Sequence, residues 1–162
     1  RLYCYRNPGR ENLLWYAPNV LTQIPQKQKL AMTVKLSLSG REDGDFGGIG
    51  MVGHDYGYAG LYYTGEGIQV RCCRGTVTQP MFEGEAVEKE AEGAQAWFRL
   101  TLEEDKTYGF SYSFDGRNFY RIEYSFPLKR ATWTGAKLCL WSCSLENRQS
   151  DGYCDYEYVE IK

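Results

Sequence analysis

The sequence predicts an all-β fold, two antiparallel sheets packed face to face as a β-sandwich, and three observations lead there. Short segments alternate apolar and polar residues at the period of a strand. Aromatic residues reach 15% of the chain, while Leu, Ile, Val and Phe together make up only about a fifth. Eighteen glycines punctuate the alternating segments. Aromatic and β-branched side chains suit a pleated, half-buried surface, and glycines mark turns and bulges. A length of 162 residues suits one domain with its own core, so residues 1–162 are expected to form a single sandwich.

The elements follow in order. Leu30 to Leu38 puts Leu30, Met32, Val34, Leu36 and Leu38 on one face, with small or polar residues between them. The run SGREDGDFGG over 39–48 supplies a turn. Ile49 to Val52, Tyr56 to Tyr63 and Ile68 to Cys73 follow as three neighbouring strands, the last two joined by a Thr64-Gly65-Glu66-Gly67 hairpin. Glu83 to Glu92 is acidic and carries no apolar stripe, so it reads as a solvated loop. Phe98, Leu100 and Leu102 alternate, as do Tyr108, Phe110, Tyr112 and Phe114. Asp115-Gly116-Arg117-Asn118 then gives the strongest hairpin signal in the chain, with Phe119 to Tyr124 returning. Ala136 to Leu140 and Tyr153 to Ile161 complete nine or ten strands, enough for two packed sheets.

Charge narrows the partners. Nineteen basic against 21 acidic residues leave a net charge of −2, which offers no field for neutralising phosphates, so nucleic acid is not an expected partner. The longest apolar runs are a few residues, far below the roughly 20 that span a bilayer, and no charged-then-apolar leader opens the chain, so no membrane partner is expected. The compartment, cytoplasmic or secreted, stays open. Six cysteines fit no zinc spacing. Adjacent Cys72 and Cys73 point to opposite faces of a strand, and Cys139 and Cys143 lie roughly 13 Å apart at about 3.3 Å per residue. Reduced, buried thiols are the expectation, with a disulfide of Cys4 or Cys154 as the alternative.

Five blocks in order carry a resemblance: LLWYAPNVLTQ from Leu13, DGDFGGIGMVGHDYGYAGL from Asp43, FSYSFDGRNF from Phe110, WTGAKLCLW from Trp133 and the closing GYCDYEYVEIK. Together the chain resembles the C-terminal β-sandwich of glycoside hydrolase family 43, mostly β-xylosidases and α-L-arabinofuranosidases. The resemblance implies a concanavalin A-like jelly roll. It also implies that catalysis belongs to a separate five-bladed propeller preceding this domain, with xylan or arabinan as substrate. The family's sandwich usually begins some tens of residues earlier, so Arg1 is expected to fall inside the domain, as in a fragment or trimmed module of a larger hydrolase.

Candidate chemistry is sparse, and no catalytic residue is expected in this chain. Glycosidases need two carboxylates flanking a cleft, about 5–5.5 Å apart for retention and about 6.5–9.5 Å for inversion. The nearest trio is Asp155, Glu157 and Glu160. Alternation puts Asp155 and Glu157 on one face and Glu160 on the other, so the trio needs a bulge to act together. A self-contained glycosidase built on it is the outlying alternative. His54 is the sole histidine and has no nucleophile motif around it. No cofactor is expected. Glu42, Asp43 and Asp45 in their Gly-rich loop are the one candidate calcium cluster, without the spacing of an EF-hand.

The tyrosines carry the sharpest signal. Tyr56, Tyr58 and Tyr62 share one face of a strand, with Gly57, Ala59, Leu61 and Tyr63 on the other. If that face is open, it is a carbohydrate-binding platform. The flat face of a sugar covers the rings, and its hydroxyls reach His54, Asp55, Gln69 or Arg71. The same row would equally serve as a face packed against another domain, which points to a domain that braces the propeller without binding sugar itself. Trp97, Trp133 and Trp141 read as packing residues. Trp15, near a predicted sheet edge, is the best further candidate for stacking on sugar.

Overall fold

The computed structural model describes residues 1–8, 14–78, 81–129, 135–145 and 149–162. Twelve strands are present among them: β1 (Leu2–Tyr3), β2 (Asn19–Gln23), β3 (Leu30–Ser39), β4 (Asp45–Val52), β5 (Asp55–Tyr63), β6 (Ile68–Thr76), β7 (Phe82–Glu90), β8 (Gln95–Leu102), β9 (Thr107–Ser113), β10 (Tyr120–Pro127), β11 (Lys137–Ser144) and β12 (Tyr153–Ile161). One sheet has the order β1-β12-β3-β8-β9-β10 and the other β2-β11-β4-β5-β6-β7, every pairing antiparallel. We call them sheets A and B. Among the described residues no helix is long and apolar enough to cross a membrane.

Between the sheets lies the expected core. β3 alternates strictly, burying Leu30, Met32, Val34, Leu36 and Leu38. These face Ile49 and Met51 of β4, Ala59 and Leu61 of β5, and Val70 and Cys72 of β6. The Asp-Gly hairpin forms as its sequence demands. Gly116 takes φ 72°, and Asp115 Oδ1 accepts the Arg117 and Asn118 amides at 2.8 Å each. Those bonds hold the Asp115 carboxyl well below the usual carboxylate range.

Three features depart from expectation. Residues 83–92 are not a loop, because Phe82–Glu90 forms β7, paired along β6 at the edge of sheet B with a register shift between Cys72 and Cys73. An edge strand needs no apolar stripe, and charges there discourage further pairing. Strands β1 and β2 were too short or too exposed to register as alternation. All six cysteines are free and buried, which removes the disulfide alternative for Cys4 and Cys154.

The largest difference is that the middle of sheet B is buried on both faces. Seven consecutive residues of β4 and seven of β5 are buried, whereas sheet A keeps a wet outer face. The outer face of sheet B carries a second apolar cluster of Leu14, Phe46, Tyr56, Tyr58, Tyr62, Cys73, Cys139, Trp141 and Cys143. Trp141 sits opposite Gly48, which itself pairs with Gly60. Side chains cannot be added there, since a Cβ on Gly48 would fall 2.2 Å from the Ala59 oxygen and one on Gly60 2.1 Å from the Gly47 oxygen. Around the indole, the rings of Phe46 and Tyr58 stand edge-on at 4.6 and 4.8 Å.

Candidate functional site

Tyr56, Tyr58 and Tyr62 project from one face of β5, as alternation requires, but that face is closed. Their exposures are 2%, 1% and 5%. A ring with almost no accessible area cannot stack on a sugar, so the open platform expected from the sequence is corrected to a second core. Alternation fixes which side of a strand a residue takes and says nothing of whether that side is wet.

Glu83 of β7 ties this face together. Its Oε2 accepts the Tyr56 hydroxyl at 2.5 Å and the Leu14 amide at 2.8 Å, and its Oε1 accepts the Tyr58 hydroxyl. Glu83 lies opposite Gly75, and a Cβ on Gly75 would fall 2.3 Å from the Tyr56 ring, so the missing side chain makes room for the phenol. Burial raises the Glu83 carboxyl above its ordinary value, opposed by the three donors. The Leu14 amide belongs to a 3₁₀ turn, Leu14–Tyr16, which is thereby pinned to the tyrosine face. Sequence reasoning missed Glu83, because an acid in an acidic run looks like any solvated charge.

The other candidates scatter around this cluster. Trp15 in the pinned turn is 43% exposed and stands edge-on to His54 at 6.4 Å, so these two do come together beside the covered tyrosines. Arg71 is half-buried with its guanidinium 3.4 Å above the Tyr62 ring, and it donates to Gln69 at 3.1 Å. Arg71 therefore helps to roof the tyrosines. Asp55 leaves the group. It turns to the other side of β5 and pairs with Lys129 at 2.8 Å on the rim of a cavity of about 360 Å³ that Tyr56, Arg74 and Tyr124 also line. Lys129 holds its carboxyl below the ordinary value. Trp97 is half-buried and Trp141 fully buried, while Trp133 lies outside the described residues.

The carboxylate trio gains the bulge it needed, and each of its acids is held in an ion pair. The register of β12 shifts between Tyr156 and Tyr158, which brings Asp155 and Glu160 to the same outer face of sheet A. Each acid is neutralised: Asp155 by Arg1 at 2.8 Å, Glu157 by Lys35 at 2.6 Å and Glu160 by Lys162 at 2.8 Å. The partners Arg1 and Lys162 push the Asp155 and Glu160 carboxyls downward, the wrong direction for a general acid.

Glu42, Asp43 and Asp45 do not converge on an ion site either. Asp45 turns inward, where its Oδ2 accepts the Arg41 and Glu42 amides at 2.8 and 3.1 Å and the Ser150 hydroxyl at 2.7 Å. Among the described residues no group of three or more His, Cys, Asp or Glu side chains is arranged to hold a metal.

Comparison with known proteins agrees with this architecture. The family model described as the beta xylosidase C-terminal concanavalin A-like domain matches residues 1–162. A bifunctional GH43-CE protein of Bacteroides eggerthii superposes with a TM-score of 0.82 at 19% identity, covering 97% of this chain and 20% of that one. The GH43 BlXynB protein of Bacillus licheniformis gives 0.78 at 14% identity, over 97% and 32%. A xylan beta-1,4-xylosidase of Bacillus halodurans C-125 gives 0.75 at 13% identity, again over 97% and 32%. This chain thus spans a fifth to a third of those proteins. No curated protein matches it in sequence. Two six-stranded sheets in jelly-roll order and a family match over the full length lead to one conclusion: the chain belongs to the beta xylosidase C-terminal concanavalin A-like domain family of glycoside hydrolase family 43 enzymes.

Proposed function

We propose that this chain is the non-catalytic sandwich of a family 43 hydrolase acting on xylan or arabinan, and that its work is to brace the catalytic propeller. The observation that carries this reading is an apolar seam along the β2/β12 edge. Leu21, Ile24, Val159 and Ile161 are 58%, 51%, 47% and 44% exposed there. Leu138 and Ile161 border both of the two shallow hollows beneath them. β1 pairs only with Tyr153 and Cys154, so among the described residues the rest of β12 has no strand on that side. Large apolar side chains grouped at an edge mark a surface that another body covers. The similar structures carry most of their chain outside this fold, which supports the remaining part of such an enzyme as the occupant.

The test mixes the chain with a family 43 propeller deprived of its own sandwich. The expected result is a complex that melts higher than the propeller alone, with the gain lost in Leu21→Glu and Ile161→Glu while the chain's own melting is unchanged. A second reading, direct polysaccharide binding, is favoured only by the exposed Trp15 beside His54. Absence of any complex, together with retention on xylan or arabinan that Trp15→Ala abolishes, would replace bracing with that reading.

A further inference from the structure

The outer face of sheet A carries a polar groove remote from both the tyrosine cluster and the apolar seam. Cross-strand pairing places Arg99 of β8, Ser111 of β9 and Arg121 of β10 in one row. The next row holds Thr101, Gly109 and Ser125. Gly109 contributes no side chain, and around it opens a hollow of about 300 Å³.

The two arginines are set differently. Arg99 is half-buried, donates through Nε to Thr33 Oγ1 at 3.0 Å and lies 3.9 Å over the Phe119 ring. Both of those partners are neutral and fix the guanidinium in place; the nearest acid in its row, Glu160 beyond Thr33, feels its charge but is itself paired with Lys162 at 2.8 Å. Arg121 is exposed at the rim, and among the described residues it has no ion pair. The acid at the far end of the hollow, Glu103, faces Lys29 at 3.7 Å. In a chain of net charge −2, this groove is therefore locally cationic.

We infer that the groove over β8–β10 binds a carboxylate-bearing sugar. Arg99 and Arg121 stand two strands apart on either side of Ser111, about 10 Å between backbones, and both line the hollow, Arg99 tethered on its far side to Thr33. Guanidinium forks match a carboxylate in two parallel hydrogen bonds. The Ser111, Thr101 and Ser125 hydroxyls supply neutral donors and acceptors for ring hydroxyls, and the side-chain-free floor at Gly109 admits the ring itself. Two cations are too few for a nucleic acid backbone, and the row of hydroxyls favours a polyol over a bare anion. This site does not depend on the bracing surface and is tested separately from it.

The experiment titrates the chain with trigalacturonate, with xylotriose as the neutral control and inorganic phosphate as the bare anion, followed by calorimetry and by amide shifts of β8–β10. Trigalacturonate is expected to bind and xylotriose at least about tenfold more weakly, with the difference shrinking as salt is raised. Arg121→Gln and Arg99→Lys should each weaken trigalacturonate about tenfold or more. Gly109→Ala is the control for shape. Its Cβ meets the Tyr124 oxygen at 3.5 Å, an ordinary contact, so it should fold normally, raise the floor of the hollow and weaken trigalacturonate. No saturable binding of trigalacturonate, equal binding of xylotriose or of phosphate, or affinity unchanged in Arg121→Gln would each overturn the assignment.

Discussion

Tyr58 of β5 donates its hydroxyl to Glu83 of β7 across the whole width of β6, as Tyr56 does, so two strands that are not neighbours are joined by side-chain hydrogen bonds. The phenol is 1% exposed and its ring abuts Trp141 at 4.8 Å. Tyr58→Ala should therefore cost about 3–5 kcal/mol, as for any buried large aromatic. Tyr58→Phe, which keeps the ring, should cost about 1–3 kcal/mol by leaving the carboxylate short of a donor. Chemical denaturation of the two variants separates the ring from the hydroxyl: equal losses would show that the ring contributes nothing, and no loss in Tyr58→Phe that the hydroxyl contributes nothing.

Glu83 also sets a pH dependence. Its folded carboxyl titrates above the ordinary value of 4.5, so the folded state holds the proton more tightly than the unfolded chain. The stability this contributes is fully present below 4.5 and is lost as pH rises through the raised folded value. Glu83→Gln should abolish that slope. Melting temperatures followed from pH 4 to pH 7 check it, and an identical slope in the variant would assign the titration elsewhere.

A smaller prediction concerns Ser144, which pairs with Asp45 across β11 and β4 and whose buried hydroxyl, like Asp45 Oδ1, has no hydrogen-bond partner among the described residues. Removing an unsatisfied buried hydroxyl should be neutral or mildly stabilising, within about 1 kcal/mol. If Ser144→Ala instead destabilises by more than that, an ordered water joins the two residues, and its loss is being measured.

The thiols offer a chemical test. Burial pushes Cys4, Cys72 and Cys139 up to about 12 and raises Cys143 and Cys154 as well. A thiol-specific disulfide reagent at pH 8 should find almost nothing to react with in the folded chain and all six cysteines in denaturant. Fewer than six in denaturant, restored by reductant, would reveal a bridge.

The fold was legible because most of its strands alternate. β3, β8 and β9 each bury every second residue, and the Asp115-Gly116 turn needs only local chemistry. The site was less legible for a reason visible at Tyr58. Its parity on the strand was correct, but its burial depends on Leu14 from one side and Glu83 from another, residues 44 and 25 positions away in the chain. The carboxylate trio shows the same limit from the other direction. A bulge in β12 aligned Asp155 with Glu160, yet cations from three separate segments neutralise the group. The arginine row over Ser111 was out of reach because its members come from three strands whose register only folding reveals.

The closure of sheet B on both faces has a consequence in time. Amides in the middle of β4 and β5 have no wet side, so their hydrogens exchange with solvent only when the whole domain opens. β8, β9 and β10 have one face open to solvent, and β10 has a register shift between Arg121 and Ser125 and, among the described residues, no strand beyond it, so it can fray alone. The domain is thus a stiff plate backed by a pliable one. The proposed docking edge at β2 belongs to the stiff plate, whereas the proposed acidic-sugar groove over Gly109 lies on the pliable one.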